Sequence, residues 1–158
     1  MTNENVPPWP SAARGWYLIT VLMVAYVLSF IDRVVLGLLV QPIRADLGIS
    51  DTKMSSLYGF GFAIFYTTLR LPIARLADQY DRRKIIAVGI AVWSAMTAAC
   101  GLARNYWELL AARIGVGVGE AALSPAAYSM IADSFPEQKL GRALSVYTIG
   151  LPMGVGLA

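Results

Sequence analysis

Residues 107–131 read WELLAARIGVGVGEAALSPAAYSMI, an apolar run long enough to cross a bilayer that carries Arg113 and Glu120 in its interior. Residues 16–40, WYLITVLMVAYVLSFIDRVVLGLLV, repeat the pattern with Asp32 and Arg33. A charge at the centre of a membrane costs roughly 2.5 to 3.5 kcal/mol on insertion scales, so such residues face a bundle interior or an aqueous cavity and pair with a partner. Charges of this kind mark substrate or ion paths, and they direct the reading toward transport.

The rest of the chain agrees with a membrane protein. Of its 158 residues, 57% are hydrophobic and only 15% charged, against about 25% charged in soluble domains. Further apolar runs cover residues 56–76, 85–102 and 143–158. A span needs roughly 17 to 25 residues, so the predicted architecture is all-α, with about four and a half transmembrane helices over 16–40, 56–76, 85–102, 107–131 and 143–158. The last run is still apolar at Ala158. A helix end in hydrocarbon would leave carbonyls unsatisfied, so the chain reads as a fragment of a longer polypeptide. The polar, proline-bearing segment 1–15 is expected to be a cytoplasmic N-terminal tail, and the run behind it a retained first span rather than a cleaved signal.

Orientation follows from the basic residues near span ends. With the N-terminus inside, Arg14, Arg75, Arg82, Arg83, Lys84, Lys139 and Arg142 lie on the inner side, and Arg44, Lys53 and Arg104 on the outer. Seven against three predicts a cytoplasmic N-terminus in a cell (inner or plasma) membrane. Trp16, Tyr17, Tyr106 and Trp107 fall at span ends, where interfacial aromatics collect.

Several chemistries are excluded or expected to be absent. The net charge of +3 is modest and the basic residues do not form an aromatic-interleaved face, so nucleic acid is not an expected partner. With no histidine and one cysteine, Cys100, the sequence offers no metal cluster and no intrachain disulfide, and no cofactor is expected. Gly117-Val118-Gly119-Glu120-Ala121-Ala122 satisfies a loose dinucleotide pattern, but that fingerprint requires a preceding strand, and here it sits inside the apolar run.

Arg113 and Glu120 are seven residues apart, so they differ by about 20° and share one helix face, with Gly117, Ser124 and Tyr128 within about 60° of it. At 1.5 Å per residue, Asp32 lies about 12 Å below the outer end of its span, and Arg113 and Glu120 about 9 and 20 Å below theirs. The depths overlap. If the two spans are neighbours, two acids and two bases form a proton and substrate pathway of zero formal charge: Asp32, Arg33, Arg113 and Glu120. Burial disfavours a charged carboxyl and a nearby guanidinium favours it. Glu120, beside Arg113 on a glycine-rich face, is the expected main proton carrier. Ser124 and Tyr128 are candidate cavity residues, as is Arg70, which lies two residues before Pro72 and could equally reach toward the inner interface.

The loop after the second run, Ala74-Arg75-Leu76-Ala77-Asp78-Gln79-Tyr80-Asp81-Arg82-Arg83-Lys84, resembles the signature loop of the major facilitator superfamily, G-x-L-A-D-R-x-G-R-R-K. It matches at Leu76, Ala77, Asp78, Arg82, Arg83 and Lys84 and departs at Ala74, Gln79 and Asp81. The Leu109, Arg113, Gly117 and Gly119 spacing resembles the helix-4 motif of that superfamily, whose arginine is associated with proton transfer. Asp133-Ser134-Phe135-Pro136 with Gly141-Arg142-Ala143 resembles the loop that follows helix 4. Within the superfamily the sequence is similar to the Spinster-like group, through Phe30-Ile31-Asp32-Arg33, Gly117-Val118-Gly119-Glu120-Ala121 and Leu151-Pro152-Met153-Gly154-Val155-Gly156-Leu157.

The resemblance implies that residues 16–158 are an incomplete N-terminal half of a twelve-helix fold, in which helices 1 and 4 lead inverted three-helix repeats and line a central cavity. It implies a cytoplasmic gate involving Asp78, Arg82, Arg83, Asp133 and Arg142. It implies a non-enzymatic secondary transporter in the lipid bilayer, in which this fragment does not transport alone and is completed by the C-terminal half of the same chain. The substrate it implies is a small organic or amphipathic, lysolipid-like molecule, coupled to protons. Two other classes fit the residues: a receptor or scaffold with a transporter fold, and a membrane-embedded enzyme whose catalytic part lies elsewhere in the chain. Substrate-stimulated proton uptake separates the first of these from transport, and the sequence after Ala158 separates the second.

Overall fold

The computed structural model describes residues 10–158, apart from the side chains of residues 60, 61 and 78. Among the described residues there is no strand. The helices are α1 (Ala12–Leu38), α2 (Val40–Leu47), α3 (Asp51–Ser55), a π-helical turn (Ser56–Gly61), α4 (Phe62–Gln79), α5 (Arg82–Leu102), α6 (Tyr106–Ala121), α7 (Leu123–Ala132), α8 (Glu137–Thr148) and α9 (Gly150–Leu157).

Ala12–Leu38, Arg82–Leu102 and the run Tyr106–Ala132 are long and apolar enough to cross a membrane. At 1.5 Å per residue, the 27 residues of α1 extend about 40 Å, more than the roughly 30 Å of a hydrocarbon core. The other two expected spans fall on helices that are interrupted or more charged. α4 carries Arg70, Arg75 and Asp78, and α8 is separated from α9 at Ile149.

Three interruptions share one cause. α1 ends at Leu38, α6 at Ala121 and α8 at Thr148, each four residues before a proline: Pro42, Pro125 and Pro152. Proline cannot donate to the carbonyl four residues back, and its ring presses on that carbonyl. The helix therefore breaks at the next residue and resumes, at Leu39, Ala122 and Ile149. The first apolar run thus ends as a helix at Leu38 rather than Val40. The short α2 that follows is closed by Gly48, whose φ of 59° is left-handed, the backbone state glycine adopts without a Cβ penalty.

Polar side chains set the other ends. Ser50 accepts from the Lys53 amide, so helix begins at Asp51, before the expected Ser56. Asp81 accepts from the Arg83 amide at the start of α5. Asn105 accepts from the amides of Trp107 and Glu108, and the Glu108 carboxylate accepts from Arg104 N–H. These side chains satisfy first-turn donors that have no partner within the helix.

Small residues bring the helices together. A Cβ on Gly119 would lie 2.6 Å from Trp93 N and 2.7 Å from the Gly89 carbonyl, so α6 and α5 touch backbone to backbone. A Cβ on Gly154 would lie 2.6 Å from Phe30 Cβ, which sets α9 equally close on α1. This is the small-residue packing used where lipid supplies no hydrophobic drive between helices. The main core joins Ile19, Leu22 and Ala25 of α1 to Leu123, Ala126, Ala127 and Ile131 of α7 and to Ala143 and Tyr147 of α8. One face of α1 is thereby buried against α7 and α8, while α6 packs between α5 and α4.

Candidate functional site

Asp32 and Arg33 are consecutive on α1 and so point about 100° apart. They engage two residues that share one face of α6. Arg113 Nη1 donates to Asp32 Oδ2 at 3.3 Å. Arg33 Nε donates to Glu120 Oε2 at 2.7 Å, with Nη2 at 2.5 Å from the same oxygen. The structure thus brings the four charges into two ion pairs that bridge α1 and α6. Glu120 pairs with Arg33 rather than with Arg113, the neighbour expected from the sequence. Seven residues of helical rise, about 10 Å, separate Arg113 from Glu120 along α6, whereas the Arg33 side chain reaches across from α1.

The pairs are interior. Arg113 is 4% exposed and Glu120 1%. Opposite charge and hydrogen bonding are what allow ionised groups into a low-dielectric interior. Some capacity remains unused: Glu120 Oε1, Arg113 Nε, Thr97 Oγ1 and Tyr147 Oη are buried without hydrogen-bond partners among the described residues.

Aromatic faces complete the surroundings. The Arg33 guanidinium lies 4.9 Å from the Phe30 ring, 5.0 Å from Phe62 and 4.7 Å from Tyr66. Arg113 lies 5.4 Å from Phe62, so one ring faces both cations. Such contacts contribute roughly 0.5 to 2 kcal/mol, more when desolvated. Gly117 makes room for this ring, since a Cβ there would sit 3.3 Å from Phe62 Cδ2. The π-helical turn immediately precedes Phe62 and offsets the face of α4 relative to α3; such turns recur at functional sites.

The aromatic residues escaped the sequence reading. Their signal was present as spacing: Tyr26, Phe30 and Arg33 on α1, and Phe62, Tyr66 and Arg70 on α4, recur at the three- and four-residue steps that align side chains on a helix. The Tyr26 ring stacks on Tyr147 at 4.8 Å, and Tyr128 meets Tyr147 edge-on at 5.4 Å. Of the candidate cavity residues, Ser124 is buried, Tyr128 is 37% exposed, and Arg70 is exposed with its guanidinium 6.0 Å from the Tyr66 ring.

At the other end of the bundle, Arg82 forms an ion pair with Asp133 and donates from Nε to the Ala77 carbonyl at 3.0 Å. Arg83 is exposed nearby and lines the same surface hollow. Arg142 is not part of this pair: its guanidinium lies over the Trp16 ring at 5.7 Å. The Asp78 side chain lies outside the described residues. Gly117 to Ala122, the dinucleotide lookalike, is helix and the break that follows it, with no strand before it among the described residues.

The Major Facilitator Superfamily model matches residues 22–158. This chain belongs to the major facilitator superfamily. It is 34% identical over 140 residues to an MFS-type efflux pump of Mycolicibacterium smegmatis, covering 89% of this chain and 33% of the pump. It is 32% identical over 149 residues to human protein spinster homolog 1, covering 93% of this chain and 28% of that protein. A solved bacterial homolog of the human lysosomal transporter Spinster, inward-facing and unoccupied, superimposes with a TM-score of 0.88 at 38% identity, over 92% of this chain and 30% of that one. The superfamily chain described here therefore spans about a third of the length of the relatives it matches. Family and apolar helices together make it a multi-pass membrane protein of a transporter family, with Spinster proteins among its relatives.

Proposed function

We propose that this chain is the first part of a proton-coupled secondary transporter that works by alternating access on a small organic or amphipathic substrate. The observation that carries the reading is the pair of buried ion pairs, Arg33 with Glu120 and Arg113 with Asp32, joining α1 to α6. Each carboxylate can take a proton only by loosening its arginine, and a loosened arginine alters both the contact between two central helices and the charge offered to a substrate. Proton binding, helix movement and substrate binding then share the same atoms, which is the coupling that secondary transport needs.

The names of the relatives support transport and leave a wide choice of substrate, so a lysolipid-like amphipath is one member of the proposed range. The aromatic stripes on α1 and α4 suit the apolar body of such a molecule. The remainder of the transporter, by this reading, is the rest of the first half and a second half that closes the cavity opposite α1 and α4. The N-terminus faces the cytoplasm of a cell membrane, with Arg82, Arg83 and Lys84 on the inner side. Arg82 and Asp133, with Arg83 on the same surface, act as the cytoplasmic gate, to which Asp78 belongs by its place in the loop motif, while Arg142 joins only by leaving Trp16.

The test uses the full-length protein in proteoliposomes with an enclosed pH indicator. Members of a substrate panel that are carried should drive proton movement in proportion to their own uptake. A protein that binds members of the panel yet moves neither substrate nor protons would replace this reading with a receptor.

A further inference from the structure

A second hollow reaches the charged site from the side away from the aromatic stripes. Its volume is about 320 Å³, and it lies between the end of α1, α2, α5 and the start of α6. Asp32 and Arg113 form its inner wall, Thr97 and Cys100 of α5 its side, and the exposed Asp46 of α2 its mouth. None of Tyr26, Phe30, Phe62 or Tyr66 lines it.

Its polar inventory points to water. Arg113 is 4% exposed and donates to Asp32 through Nη1, yet its Nε is buried without a partner among the described residues. Thr97 Oγ1 is in the same condition. A buried donor left unmade costs about 1 to 3 kcal/mol, so such groups are normally met by ordered water. The space far exceeds what one water requires, and a buried water needs two to four polar partners. Asp32, Arg113 and Thr97 supply them.

We propose that this hollow holds a water chain that carries protons between Asp46 and Asp32, apart from the substrate cavity. The inference rests on the proton-coupled reading above and adds a route to it. The charged and titratable groups around Asp32 are Arg113, its partner on α6, the neighbouring Arg33 with Glu120, and Asp46 of α2 and Cys100 of α5, which line the same hollow. Asp46 and Asp32 alternate as acceptor and donor along the waters, so a proton arriving at Asp32 meets the Arg113 pair first. Arg33 and Glu120 lie beyond it, on the α4 side. Substrate and proton would then approach one charge set from opposite faces.

Two measurements on the full-length protein test this. Cys100 serves as a built-in probe of hydration: a small, membrane-impermeant thiol reagent should modify it in the folded protein, read as a mass shift of the Cys100 peptide. Modification only after denaturation would mean a dry hollow and would overturn the proposal. Asp46→Asn should then lower proton uptake severalfold relative to substrate exchange, whereas a folding defect would lower both. Asp51→Asn, an exposed charge loss outside the hollow, serves as the control. An unchanged ratio of proton uptake to exchange in Asp46→Asn would rule out the route even if Cys100 is labelled. Absence of coupled proton movement in the unmodified protein would instead remove the transport reading, and the labelling result would still report whether the hollow is wet.

Discussion

Arg33 holds Glu120 through one oxygen only: Nε lies 2.7 Å and Nη2 2.5 Å from Oε2, while Oε1 is buried with no hydrogen-bond partner among the described residues. The carboxylate side chain is fully enclosed, whereas the arginine keeps 24% exposure and three aromatic faces. The two partners therefore depend on each other unequally.

That inequality predicts the outcome of a double-mutant cycle. Arg33→Met leaves a buried carboxylate without its cation and should destabilise the protein by about 3 to 5 kcal/mol. Glu120→Gln leaves a cation that still has rings and some solvent, so its cost should be smaller. The double variant should recover part of the loss. Thermal unfolding of the full-length protein in detergent measures this, and simple additivity of the two single effects would contradict direct pairing.

Glycine positions give a sharper structural contrast. Gly119→Ala forces a Cβ to within 2.6 Å of Trp93 N and 2.7 Å of the Gly89 carbonyl, where backbone cannot yield. A loss of about 1 to 3 kcal/mol is expected from such overpacking. Gly141→Ala, in the interior of α8 with nothing within 4 Å, should instead gain about 0.5 to 1 kcal/mol from helix propensity. Equal effects at both sites, in the same unfolding assay, would mean that α5 and α6 do not approach as described.

The Arg82–Asp133 pair is a different case. Its side chains are 28% and 64% exposed, and exposed pairs contribute at most about 1 kcal/mol. Asp133→Asn should therefore shift the unfolding midpoint very little. If the pair is part of a gate, the same variant should change how readily the cytoplasmic side of the cavity accepts a thiol probe at an introduced cysteine. A large loss of stability with unchanged access would make the pair structural.

Much of this was legible in the sequence, for physical reasons. Long apolar runs and interior charges announce themselves because a bilayer makes both conspicuous. Helical period put Arg113 and Glu120 on one face, and depth matched them to Asp32 and Arg33. Which acid meets which base was not legible. Arg33 reaches Glu120 because α1 and α6 both pack on α7 and the long arginine side chain spans the interval between them. Phe62 and Tyr66 were hidden because an aromatic in an apolar span looks like any other apolar residue until a guanidinium is placed over it. Arg142 resembled a gate residue by its position after the fourth span, but Trp16 of α1 is the group that packs beneath it. The proline breaks were legible only in part: Pro42, Pro125 and Pro152 each interrupt the helix three residues earlier, whereas α4 runs unbroken through Pro72.

We propose that Glu120 carries the coupled proton. The most direct test compares full-length wild-type and Glu120→Gln proteins in proteoliposomes, with substrate exchange and substrate-driven proton uptake measured on the same preparation. The account predicts that Glu120→Gln still exchanges substrate across the membrane but no longer takes up protons with it. Full proton coupling in Glu120→Gln would contradict it.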